Sequence, residues 1–65
     1  MSDFDYIVQG CYSDSRICEE SGHDIEPEAV LLALDMLEAP HFEGDYVVVI
    51  TRDGECIFDS RETAN

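Results

Sequence analysis

The sequence predicts a small α+β domain. Its expected form is a three-stranded, mostly antiparallel sheet with one helix laid over a face, in the order β-α-β-β. Three observations predict it. Apolar and polar residues alternate near the N-terminus, a central stretch carries helical periodicity and stops at a proline, and a β-branched run is followed by a turn signal and a return segment. With 65 residues the chain makes one domain, 1–65, whose core must be small.

Phe4 to Tyr12 read as the first strand, since Phe4, Tyr6 and Val8 alternate with Asp5, Ile7 and Gln9. Gly10 marks a bulge or the strand end. Residues 13–24 are polar and acidic, punctuated by Ser, Gly and Asp, and read as a loop with room for one helical turn around Ser15 to Glu20. The helix is expected from about Pro27 to Glu38. Pro27 suits the first turn because its missing N–H would find no partner there anyway. Asp24 or Glu26 stands at or near the N-cap, and Pro40 ends the helix by disfavouring helical geometry at Ala39. At about 100° per residue, Ala29, Val30, Ala33, Leu34, Met36 and Leu37 share one broad face, with Glu28, Asp35 and Glu38 opposite. Leu31 falls among those carboxylates, either as a lone surface residue or as an apolar anchor in an interface.

After a short acidic loop, His41 to Asp45, the β-branched run Tyr46 to Thr51 is a strand. Arg52-Asp53-Gly54 is a turn, and Cys56 to Ser60 return. A two-residue turn would pair Val49 with Phe58; a three-residue turn would pair Val48 with Phe58. Cys56 and Phe58 share a face in both cases, and that face is expected to be buried. Glu62 to Asn65 should fray. Strand order stays open.

Charge is the strongest functional signal. Sixteen carboxylates face three arginines and no lysine, for a formal net charge of −13. Residues 25–45 hold six carboxylates and no base. Such a field repels nucleic acid and anionic membrane, and it attracts basic protein surfaces, above all those built to hold phosphates. Direct nucleic-acid binding is excluded, because it depends on neutralising phosphates with Lys and Arg. A hydrophobic content of 45% separates the chain from disordered acidic tails.

Other chemistry is weakly signalled. Cys11, Cys18, Cys56, His23 and His41 lack the close pairs that a structural zinc site uses, and Cys11 and Cys56 read as small core residues. Asp3, Asp5 and Ser13-Asp14-Ser15 lack the glycine turn and closing Glu of a calcium loop. Cys18 and His23 sit among Glu19, Glu20 and Asp24, a neighbourhood that opposes a thiolate. We therefore expect no enzyme activity, metal or cofactor. No apolar run approaches a membrane span, and the acidic start Met1-Ser2-Asp3-Phe4-Asp5 is unlike a secretory leader. An odd cysteine count without a leader fits a reducing cytoplasm.

The carboxylates remain. Glu28, Asp35 and Glu38 form a row along the helix, extended at its start by Asp24 and Glu26. Asp14, Glu19, Glu20, Glu43 and Asp45 broaden it from the loops, with Leu31 as the apolar member. Such an array can occupy a basic groove in place of phosphates; the alternative is a solvated face that keeps the protein soluble.

In length, charge and element order the chain resembles the small acidic inhibitors of phage type that imitate DNA, both anti-CRISPR proteins and inhibitors of restriction or repair enzymes; of these the anti-CRISPR reading is taken as the expectation. That resemblance implies a non-enzymatic inhibitor in the cytoplasm of an infected bacterium; the apolar helix face leaves room for a dimer, but a monomer covering its own sheet is the expectation. Its partner would be the basic, PAM-reading surface of a CRISPR effector complex, which protein side chains rather than guide pairing supply. Two rivals share the composition. One is an interaction or antitoxin-like module for a basic protein partner, and the other is a small domain adapted to a salty cytoplasm.

Overall fold

The computed structural model describes residues 4–62. It is an α+β fold, with five elements: β1 (Tyr6–Cys11), β2 (Ile17–His23), α1 (Glu26–Glu38), β3 (Tyr46–Thr51) and β4 (Cys56–Asp59). The strands form one antiparallel sheet in the order β2-β1-β3-β4, and the helix lies over β1 and β3, reaching β2 at one side. The sheet thus has four strands, not three. The missed strand is β2, in the segment expected to be a loop. Asp3, and Thr63 to Asn65 of the tail expected to fray, lie outside the described residues.

The two hairpins share one design. In each, a three-residue loop places its third residue at positive φ, Ser15 at 74° and Gly54 at 91°. The closing bonds match: Tyr12 N donates to Arg16 O at 2.8 Å and Ser15 N to Tyr12 O at 2.8 Å, as Thr51 N does to Glu55 O and Gly54 N to Thr51 O, both at 2.8 Å. Three residues beyond each loop's end comes a bulge. Cys11 pairs with Ile17 but Gly10 with Glu19, leaving Cys18 over; Ile50 pairs with Cys56 but Val49 with Phe58, leaving Ile57 over. Both expected hairpin registers therefore hold a part of the answer. The three-residue turn sets the pairing at Cys56, and the bulge then brings Phe58 opposite Val49. It also puts Cys56 and Phe58 on opposite faces, so Cys56 is exposed rather than a core residue, whereas Cys11 is buried.

Under the helix, Val8, Val47 and Val49 are completely buried against Ala29 and Ala33. Alanines one turn apart let the helix sit close to the sheet. Leu32, Met36 and Leu37 flank them, so the buried stripe reads 29, 32, 33, 36, 37, the spacing of a core-facing helix. This rotates the expected face. Leu32 joins the core, and Leu34 leaves it, 42% exposed. Gly10 is buried in β1 because the Phe42 ring crosses over it, close enough that a Cβ there would lie 2.6 Å from Cε1. The other sheet face carries Cys11, Tyr46 and Val48, with Ile50 packed beside them.

The helix begins one residue earlier than expected. Its N-cap is Ile25, which makes no side-chain capping bond, and Pro27 sits in the first turn. Glu26 and Glu28 supply the early negative charge that the helix dipole favours. The end at Glu38 agrees with the sequence reading, with Ala39 extended ahead of Pro40.

Candidate partner-binding surface

The carboxylates divide into those with a structural task and those without. Asp45 Oδ2 accepts a bond from the Ser13 amide at 2.6 Å and so ties the α1–β3 loop to the first hairpin. Asp14 accepts from Arg16 Nε at 2.7 Å within the same hairpin loop. Glu20 accepts from Gln9 Nε2 at 2.7 Å across β1 and β2. Glu19 pairs opposite Gly10, one residue from Glu20, so these two neighbours project to opposite faces of the edge strand. Glu43 lies near the Tyr12 hydroxyl, whose pKa is raised chiefly by its hydrogen bond with the Cys18 thiol. These five residues, expected to broaden one acidic face, are scattered around one end and both sides of the sheet.

The helix residues behave differently. Glu26, Glu28, Leu31, Asp35 and Glu38 are all exposed, with Asp24 just ahead of them. The helix wheel sets Leu31 and Leu34 on the side opposite Ala29, Leu32 and Met36, one turn apart. Leu31 is 61% exposed. Leu34 was missed as a surface residue because 100° spacing alone leaves a wide apolar arc, and only the packing of Ala29 and Ala33 fixes which part turns inward.

Among the described residues no cation answers these acids. Each arginine is engaged elsewhere: Arg16 with Asp14 at 2.7 Å, Arg52 with Asp5 at 3.4 Å, and Arg61 with Asp59 at 2.7 Å. Among the described residues no helix carboxylate makes an ion pair. The last turn of the helix contains no basic residue, so Glu38 faces the negative end of the dipole. Charge of that sign at that end costs about 0.3–1 kcal/mol. The 13-residue helix spans about 20 Å, a length over which duplex DNA carries about twelve phosphates. Glu28, Asp35 and Glu38 are a sparser row; Glu26, expected to extend it, is exposed but falls on the arc of Ala33 and Leu37, away from that row, and Asp24 precedes the helix.

The remaining surface offers little enclosure. A shallow depression of about 400 Å³ lies on the helix-free sheet face, floored by Cys11, Val48 and Ile50 and edged by Gln9, Asp59 and Arg61. There the Arg61 guanidinium lies 3.9 Å from the Tyr46 ring centroid and grips Asp59 with two nitrogens, at 3.0 and 2.7 Å. That grip holds the Asp59 carboxyl below its usual range. Ser21 Oγ and His23 Nε2 are 2.9 Å apart on β2, and the other ring nitrogen has no protein partner among the described residues. No group of three or more His, Cys, Asp or Glu placed to hold a metal occurs among the described residues. No helix there is long and apolar enough to cross a membrane. No protein-family model, curated protein or solved structure matches the chain.

Proposed function

We propose that this protein acts by binding, presenting the outer face of α1 to a basic protein surface that otherwise holds nucleic acid. The observation that carries this reading is the unanswered charge of that face. Glu28, Asp35 and Glu38 are exposed with no countercharge among the described residues, and Glu38 opposes the helix dipole at a cost to the fold. In this reading the carboxylates stand in for phosphates, and the protein inhibits by occupying the groove. The PAM-reading surface of a CRISPR effector complex is the target that the resemblance in size and charge suggests.

The test is capture from a CRISPR-bearing bacterial lysate with the tagged protein, at low and then high salt. The expected result is a nucleic-acid-binding complex that salt releases and that no longer binds its DNA while the inhibitor is present. A captured partner whose DNA binding is unchanged would contradict phosphate mimicry and leave a basic partner of another kind.

One observation favours a second reading, adaptation to a salty cytoplasm. Carboxylates also stand on both hairpin loops, as Asp14 and Asp53, and on both faces of β2. An acidic shell on every side is what solvation, rather than one interface, requires. Under that reading the protein unfolds at about 0.1 M salt and folds only at molar concentrations.

A further inference from the structure

We infer that the Leu31–Leu34 ridge of α1 docks against a partner helix whose own apolar stripe is flanked by lysine or arginine. The inference rests on the binding reading above and names the chemistry of the partner's contacting face. A pure phosphate mimic needs no apolar side chain on its charged face. Here Leu31 and Leu34 are 61% and 42% exposed, although five other helix residues supply the contact with the sheet. They lie one turn apart, the spacing with which an amphipathic helix meets an apolar groove. Glu28 and Asp35 flank them on one side, and Glu38 continues the ridge beyond Leu34. The rim is therefore of one sign. It repels acidic amphipathic helices and favours a basic one over a neutral one, since the long basic side chains can cover the leucines while their heads meet the carboxylates.

A second copy of this chain is a poor occupant, because two such rims would repel. A nucleic acid is excluded by the same sign. The leucines would supply grip, seen in the dissociation rate, and the carboxylates would supply steering, seen in the association rate and its salt dependence.

The test uses two synthetic peptides. One is made of leucine and lysine at helical spacing, and the other has serine at every leucine position with the same lysines. Each is titrated into the ¹⁵N-labelled protein at low salt. The leucine–lysine peptide should bind about tenfold more tightly, with amide shifts centred on Leu31 and Leu34. In L31S/L34S that preference should vanish while binding of the serine–lysine peptide is unchanged. Both positions are exposed, so the variant is expected to keep its amide spectrum elsewhere. Equal binding of the two peptides, or a preference that survives in L31S/L34S, overturns the ridge and leaves the acidic-face reading standing. Failure of both peptides to shift any helix amide overturns both.

Discussion

Ser15 holds a backbone conformation that glycine adopts without strain, with φ of 74° at the third position of its loop. An L-residue there costs about 1–2 kcal/mol, and glycine gives part of that back through its freer unfolded chain. Ser15→Gly should therefore stabilise the protein by roughly 0.5 kcal/mol, measured by urea unfolding, whereas Gly54→Ala should destabilise it by about 1 kcal/mol. Loss of stability in Ser15→Gly would show that the 3.4 Å contact from the Tyr46 hydroxyl to Ser15 Oγ outweighs the strain. Glycine at 54 made the second hairpin legible in the sequence. Serine at 15 hid the first, because the same geometry is written there without its usual residue. At Asp59 the Arg61 fork depresses the carboxyl pKa, so its contribution is present above the ordinary carboxylate range and is lost as pH falls through the lowered value. Asp59→Asn should flatten the acid end of the stability–pH curve; an unchanged curve would place the acid sensitivity elsewhere.

The legibility of each element follows from how it is buried. β3 packs both faces, Val47 and Val49 toward the helix and Tyr46, Val48 and Ile50 with Cys11 on the other side, and its β-branched run reads as a strand at once. β2 is an edge strand with Glu19, Glu20, Ser21 and Gly22 at its centre, so neither face carries an apolar alternation. It is held by the hairpin and by β1, through contacts that no local pattern reveals. The helix was legible in extent but not in rotation. Its inward alanines make the contact sensitive to size: Val47→Ala should cost about 2–3 kcal/mol, a large share of what a domain this small has, and appear as a lowered urea midpoint. The C-terminal turn gives a contrary expectation. Glu38→Lys should stabilise the fold by about 0.3–1 kcal/mol by relieving the dipole, and weaken partner binding. Stabilisation without loss of binding would remove Glu38 from the surface.

For the whole molecule, the charge was legible from composition but its arrangement was not. Of the residues grouped by sequence reasoning, Asp14, Glu20 and Asp45 are engaged in hydrogen bonds that hold the first hairpin and its neighbours, while the helix set is left free of ion pairs among the described residues. Spacing along a helix can be read from a sequence; the meeting of Asp45 with Ser13 across the fold cannot. The most direct measurement compares capture from a bacterial lysate by the native protein, by E28K/D35K/E38K and by D53K/E55K/E62K, which carries the same charge change on other exposed residues. The native protein and the second variant should retain a nucleic-acid-binding partner that duplex DNA displaces, and the helix variant should lose it. Equal capture by all three, or loss in both variants alike, would contradict a binding surface centred on the helix.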